Sequence, residues 1–403
     1  MSETQSYDIF APEATADPYP LYRRLQAEVP RLWDEERGVW VITRHADVSA
    51  LLAHPAMSAQ KFDAGGLPPE MSEEFGPLYA MLSKQMLFQD PPHQTRLRTL
   101  AAKAFTPRVI EGLRPNIQKW TDDFLDTALA EQGQLDIIRD LAYPLPATVI
   151  AEMLGVPSED RDQFRHWSDD FADFLGTASN DWEAVRPFLP GIYKLMDYLQ
   201  RIVDETRAAP GNNLLSALVA AEEQGDTLTE EELIANCLLL LVAGHETTTN
   251  LIGNGLLALL SHPDQAARLR QDPALLPTAI EELLRYESPV QWTSRIPKER
   301  VTLDGLRIEA GQFVLLGLGA ANRDPVQFTD PDRLDIARRE GRHLAFGWGA
   351  HYCLGAALAR MEGQIALGTL LRRFPELRLA EGKQRDWRPN FIFRALEGLA
   401  VET

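Results

Sequence analysis

From Leu228 to His262 the chain runs without a proline. Thr229 stands three residues before Glu232, the spacing of a capping box, in which the hydroxyl and the carboxylate each satisfy a backbone amide that the first turn leaves free. At ~1.5 Å per residue such a helix is about 50 Å long and must cross the whole molecule. The rest of the chain therefore has to pack around it. Composition allows this: of 403 residues 45% are hydrophobic and 25% charged, ordinary for a soluble globular protein with a sizeable core. Length alone would allow two or three domains. No Ser/Gly tract, charge block or solenoid repeat divides the chain, so a single domain over residues 1–403 is expected.

The flanks read as follows. Tyr19–Glu28 is a helix after Asp17-Pro18, Val39–Thr43 a strand of β-branched and aromatic residues, and Asp47–Ala53 a helix. Ser58–Gln89, with Gly65-Gly66 and Pro68-Pro69, reads as one long irregular loop, and loops of that length are usually functional or disordered. Helices dominate from residue 94 to about 290, the last starting at Asp272-Pro273 and ending near Glu287-Ser288-Pro289. Arg295–Leu318 is strand-like, with turns at Asp304-Gly305 and Ala310-Gly311, and a helix from Leu354 to Arg373 stops before Pro375. The expected class is mainly α with small β-sheets, the β-rich parts near residues 30–60, 295–320 and 376–403 and the α-rich core over 94–290 and 354–374.

A net charge of −19 repels nucleic acid and anionic lipid on average. The N-terminus has no basic segment followed by an apolar run, so no signal peptide is expected. The strongest apolar stretch, Leu238–Ala243, falls short of the ~18 residues a membrane span needs. The reading is a cytoplasmic monomer with no membrane span and no nucleic-acid partner. Two cysteines make neither a disulfide framework nor a structural zinc site. Cys237, inside an apolar helical run, reads as core packing.

Cys353 differs because of its neighbours, Phe346-Gly347-Trp348-Gly349-Ala350-His351-Tyr352-Cys353-Leu354-Gly355. Gly347 and Gly349 permit turns at positive φ. A helix beginning after Cys353 would stabilise a thiolate through its amides and dipole, and Gly355 would let a flat ligand approach. Phe346, Gly347, Gly349, Cys353 and Gly355 together resemble the haem-binding signature of the cytochrome P450 family, and the resemblance runs nearly end to end. It implies the family's prism-shaped fold, with haem b (iron protoporphyrin IX) between the long helix and the cysteine loop and Cys353 as the axial ligand, a thiolate that favours O–O cleavage.

The same resemblance assigns further residues. Glu282-Leu283-Leu284-Arg285 looks like the family's Glu-x-x-Arg motif, whose two charges share a helix face, and Arg333 is the matching third member. Ala243-Gly244-His245-Glu246-Thr247-Thr248 resembles the acid–alcohol segment. Glu246 then takes the acid role, Thr247 the alcohol role, and Gly244 leaves room for a flat cofactor; His245 reads as packing or hydrogen bonding. Arg98, Arg295 and His351 match partners of the haem carboxylates. Many bacterial relatives carry Pro-Pro-Glu-His-Thr-Arg-Leu-Arg where this chain has Pro91-Pro92-His93-Gln94-Thr95-Arg96-Leu97-Arg98, so Gln94 replaces a cation, and His93 is turned about 100° from that position.

By the same analogy Met86, Phe88, Phe174, Val290, Trp292, Phe391 and Ile392 line the distal pocket, with Trp292 narrowing it at the haem edge. The implied function is a haem-thiolate monooxygenase that uses O2 and two electrons to oxidise an apolar small molecule: a terpene, macrolide, steroid, fatty acid or aromatic compound. A separate ferredoxin and ferredoxin reductase would supply the electrons, with Lys103, Arg108, Arg338, Arg339, Arg342 and Arg360 as the docking patch. A peroxide-driven haem-thiolate peroxygenase and a non-catalytic haem sensor are the competing readings; Glu246-Thr247 weighs against both.

Overall fold

The computed structural model describes residues 7–62, 67–132, 135–157, 160–177, 182–211, 213–223, 228–383 and 385–403. The N-terminal residues read for a leader and the Gly65-Gly66 pair lie outside this set. The helices are α1 (Pro12–Ala16), α2 (Tyr19–Glu28), α3 (His45–Ala53), α4 (Ser72–Lys84), α5 (His93–Ala102), α6 (Pro107–Gln132), α7 (Pro144–Leu154), α8 (Arg161–Gly176), α9 (Trp182–Val185), α10 (Leu189–Ala208), α11 (Leu214–Glu223), α12 (Glu230–Ser261), α13 (Pro263–Gln271), α14 (Leu276–Tyr286), α15 (Leu318–Ala321) and α16 (Ala356–Arg373). The strands are β1 (Arg31–Asp34), β2 (Val39–Ile42), β3 (Met57–Ser58), β4 (Leu135–Asp136), β5 (Trp292–Pro297), β6 (Val301–Leu303), β7 (Leu306–Ile308), β8 (Phe313–Gly317), β9 (Arg378–Leu379) and β10 (Ala400–Glu402). Five of them form one sheet in the order β1-β2-β8-β5-β3; β4-β10-β9 and the β6-β7 hairpin are separate.

The long helix is present as α12, and its capping box at Thr229 and Glu232 is formed in both directions. Its residues from Leu233 to Leu259 are buried almost throughout, packed against α7, α16, α4 and α10. Burial on all sides suits its apolar run, and most polar residues within it find partners, the Thr249 hydroxyl and the Asn254 carbonyl oxygen being exceptions. Asn236 accepts from the Met86 amide at 2.9 Å and donates to the Lys84 carbonyl at 3.1 Å, tying the end of α4 to the helix.

Two expectations are corrected. Ser58–Gln89 is not one irregular loop, because it contains the thirteen-residue α4. Pro77 lies inside this helix, and Phe75, Leu78, Met81 and Leu82 share a buried face whose burial outweighs the amide lost there. The helix after the cysteine begins at Ala356, not Leu354; Leu354 and Gly355 form a turn first.

The third member of the charged cluster is also corrected. Arg285 makes a two-pronged pair with Glu282 at 2.7 and 2.8 Å, both buried. The second arginine on Glu282 is Arg338, at 3.2 Å with its side chain buried, whereas Arg333 is exposed and contributes only its carbonyl oxygen, to Arg285 and Arg338. Five residues separate the two arginines, and the chain turns back between them through Asp335, whose amide also donates to Glu282 at 3.0 Å. Breaking a buried ion cluster from one side leaves an uncompensated charge. Arg338→Ala should therefore cost about 3 kcal/mol of stability, and Arg333→Ala within about 0.5 kcal/mol of nothing; thermal unfolding of both variants beside the wild type decides between them.

Candidate functional site

Cys353 sits at the end of a loop closed by its own backbone. Gly347 and Gly349 have φ of +68° and +73°, as their positions before the cysteine predict. The Cys353 amide donates to the Phe346 carbonyl at 2.9 Å. A Cβ at Gly349 would stand 3.0 Å from the Leu52 carbonyl oxygen, so that glycine also lets the loop lie against α3. The Cys353 thiol is pushed up by burial; the Gly355 amide, which bonds the sulfur, and the nearby Arg98 and Arg360 oppose this. Those donors are the ones a thiolate needs. The Arg360 guanidinium lies 4.5 Å over the Phe346 ring and pairs with Glu281 at 2.6 Å, so Phe346 screens the loop from the side of α14 and α16.

Gln94, expected at a haem carboxylate, instead donates to the Ala350 carbonyl at 2.8 Å and is buried, bracing the cysteine loop from α5. His93 is exposed. Arg295 is buried; its guanidinium reaches the Ser294 carbonyl at 2.7 Å and the Thr293 hydroxyl at 3.4 Å. Burial pushes it down to about 10. His351 is pushed down to about 4 by burial and by the adjacent Arg295 and Arg98, with Asp90 opposing. Asp90 is the carboxylate among these groups, and its oxygens already accept from the Ser58 hydroxyl at 2.7 Å, the Ala59 amide at 3.0 Å and Lys298 at 3.2 Å. Arg98 and Arg295 thus gather positive charge and His351 adds a neutral ring donor, with the Asp90 oxygens taken up elsewhere, and beside a thiol they fit an iron-holding dianion.

Along the middle of α12 burial is interrupted at Ala243, Gly244 and Thr247, which share one face. The Thr247 hydroxyl donates to the Ala243 carbonyl at 2.9 Å. Gly244 has a packing role: a Cβ there would meet Ile150 of α7 at 3.0 Å. His245 is fully buried between the Leu241 carbonyl at 2.8 Å and the Ser168 hydroxyl at 3.2 Å, the hydrogen-bonding role its sequence context predicts.

Glu246 is buried, and burial pushes its carboxyl up to about 7; Arg388 and the Asn250 amide oppose this, while Asp169 and Asp173 add to it. Arg388 lies 3.9 Å from Glu246, 3.2 Å from Asp169 and 2.9 Å from Asp173. Side-chain exposure rises along this series, from 5% at Glu246 to 22% at Arg388 and 31–33% at the two aspartates, so the chain of charges leads from α12 to solvent. Arg388 escaped the sequence reading, because it lies in the C-terminal segment with no spacing that relates it to α12. Asp169 and Asp173, four apart on α8, offered only a shared helix face.

The pocket assignments divide. Met86, Phe88 and Phe174 belong to the main core around α12, and Phe88 packs edge-on to Phe62 at 4.7 Å. Val290 and Ile392 are partly buried where the segment before β5 meets the C-terminal segment. Trp292 and Phe391 are corrected. They stack at 5.5 Å in the N-terminal cluster with Tyr22 and Ile9, where Trp292 fills the space above Gly317 rather than narrowing a pocket.

The Cytochrome P450 family model matches residues 21–393. Cytochrome P450 monooxygenase PikC of Streptomyces venezuelae is 46% identical, covering 96% of this chain and 91% of its own. Vitamin D(3) 25-hydroxylase of Pseudonocardia autotrophica is 42% identical over 99% of this chain and 96% of its own. The crystal structure of P450BioI in complex with hexadec-9Z-enoic acid ligated acyl carrier protein superposes with a TM-score of 0.89 at 40% identity, covering 97% of this chain and 99% of that one. The chain belongs to the cytochrome P450 family and is a P450 monooxygenase, and the family's cofactor is haem held through a cysteine thiolate.

Glu246 makes a pH-dependent demand on the fold. An exposed glutamate ionises near 4.5, this one near 7, so between those values the native state holds a proton that the unfolded chain has released. Stability then falls as pH rises through that interval, by about 3 kcal/mol in all, and stays at the lower level above it. Glu246→Gln should be more stable than wild type at pH 8 and lose that advantage toward pH 5, read by thermal unfolding at both values.

Proposed function

We propose that the protein binds haem b through Cys353 and oxidises an apolar small molecule with O2 and two electrons. The observation that carries this reading is the buried Glu246, ionising near neutrality beside Thr247 and linked by Arg388 to the surface. Haem, when bound, supplies the iron at which oxygen is activated. The protein's own part is to hold the cofactor and bring protons. Arg98, Arg295 and His351 take the haem carboxylates, and the Gly355 amide keeps the cysteine sulfur anionic. Glu246, half-protonated near pH 7, passes protons inward. It recovers them from solvent by way of Asp169 and Asp173, with Arg388 holding the three carboxylates in line. Thr247 offers a hydroxyl on the accessible face of α12 through which a proton reaches the reacting oxygen.

Thr247→Ala should keep electron consumption and divert it, releasing hydrogen peroxide in place of most product, measured as peroxide and product per NADH. Unchanged coupling would remove Thr247 from the relay. The wild type should show a red-shifted ferrous–CO band, and Cys353→Ser should lose it.

Electrons come, in this reading, from a separate ferredoxin and its reductase. The basic patch is smaller than expected, because Arg338 is consumed by Glu282 and Glu340, and Arg360 by Glu281. Lys103, Arg108, Arg339 and Arg342 remain exposed, and Arg339 and Arg342 line a groove of about 600 Å³ beside the cysteine loop. Arg108→Glu or Arg339→Glu should slow reduction by an acidic ferredoxin at least threefold and leave reduction by dithionite unchanged; equal rates with ferredoxin would dismiss the patch. The substrate class stays broad: terpenes, macrolides, steroids, fatty acids and aromatics all suit an apolar wall of Met86, Phe88 and Phe174. A spectral-shift screen of the ferric protein against such compounds narrows it.

A further inference from the structure

One cation near the cysteine side of the large sheet has no role in the site so far. Lys61 leaves β3 three residues after Ser58, where β3 pairs with β5. Its ammonium donates to the Ser294 hydroxyl at 2.9 Å and stands 5.1 Å from the centre of the Phe88 ring and 5.6 Å from that of Phe62. No carboxylate pairs with it among the described residues; its charged neighbour is Arg295, which is of the same sign. A desolvated ammonium beside a buried guanidinium is unfavourable unless an anion joins them. The one hydrogen bond to a hydroxyl does not neutralise it, and the two aromatic faces recover only part of the lost hydration.

We propose that Lys61 and Arg295 form a two-cation clamp for a carboxylate. The clamp rests on the haem-thiolate reading above and extends it in two ways. First, Gln94 stands where relatives of the family place a cation, and its amide is committed to the Ala350 carbonyl. Lys61 approaches from a different part of the chain, the segment after β3 rather than α5, and returns a positive charge to the rim formed by Arg295, His351 and Arg98. Second, Lys61 lies between that rim and the apolar wall at Phe88. A carboxylate reaching it comes either from the haem or from an amphipathic acid whose tail lies along the wall. Burial and Arg295 push the Lys61 ammonium down to about 8, so it keeps its charge at neutral pH, and a bound carboxylate would push it up.

The test uses the haem-loaded protein and three forms: wild type, Lys61→Met and Lys61→Arg. Methionine keeps the packing on Phe62 and Phe88 and removes the charge, so it poses little threat to folding. Haem loss to excess apomyoglobin is timed, and binding of dodecanoic acid and of uncharged dodecan-1-ol is read by spectral shift. If the carboxylate is the haem's, Lys61→Met loses haem at least fivefold faster, and Lys61→Arg restores the wild-type rate. If it is the substrate's, haem loss is unchanged while dodecanoic acid binds at least fivefold more weakly to Lys61→Met and dodecan-1-ol binds as before. Unchanged haem loss with unchanged binding of the acid overturns the clamp. The thiolate spectrum of the wild type tests the underlying reading separately, since it does not depend on Lys61.

Discussion

The burial of α12 on nearly every side is the constraint to which the rest of the structure answers. A helix in that position exposes no backbone and excludes water from its side chains, so each polar group on it must be paired or must face a ligand. Asn236 meets the rule by bonding backbone elsewhere in the chain, and Asn254 meets it in part, its NH2 donating to the Arg394 carbonyl at 2.7 Å while its oxygen is unpaired. His245 meets it with two partners. Glu246 meets it poorly, with an arginine at 3.9 Å and an amide at 3.4 Å, and that incomplete pairing is what leaves its proton free to exchange near neutrality. A closer ion pair would have held the carboxylate in its charged form at neutral pH.

The cysteine loop faces the opposite problem, since a loop is easily displaced and the thiolate that holds the family's haem must stay in place. Three supports act on it from different elements. The Gln94 amide holds Ala350, the α3 backbone lies against Gly349, and the Leu344 amide donates to the buried Asn322 side chain at 2.6 Å. Behind these, Glu282, Arg285 and Arg338 fasten the chain between residues 331 and 338 to α14. A buried cluster of this kind contributes little net stability compared with apolar residues of the same size, but its directional bonds admit only one register. Positional accuracy in the loop is what that register secures.

Much of this was legible in the sequence wherever a local rule determines the outcome. Two glycines at fixed distance before Cys353 predict positive φ, and both have it. The Thr229–Glu232 spacing predicts the start of α12 to the residue. What escaped reading depends on chain segments meeting in space. Arg338 rather than Arg333 completes the charged cluster because of how the chain turns at Asp335, which no spacing encodes. Trp292 turns into the cluster with Tyr22 and Phe391 because α2 and the C-terminal segment meet β5 there, a meeting that no local spacing encodes. Arg388 and Lys61 were invisible for the same reason: each is one cation among 40 Lys and Arg residues until the fold sets it beside Glu246 or Arg295.

Those two cations also show why net charge predicts little about a site. The chain carries −19 overall, yet Lys61, Arg295 and Arg98 gather where positive charge is costly, and the two arginines help to hold the neighbouring His351 neutral at pH 7. Mutual repulsion in a desolvated region opposes folding, and a ligand bearing carboxylates relieves it, so part of that ligand's affinity is repulsion already present in the protein. Surface acidity adds to the arrangement from a distance. It repels a free carboxylate on average, and the field of the gathered cations opposes that repulsion only at short range. The acidic exterior and the basic interior rim are in this sense one electrostatic design, with stability given up at the rim in exchange for a defined position of the bound group.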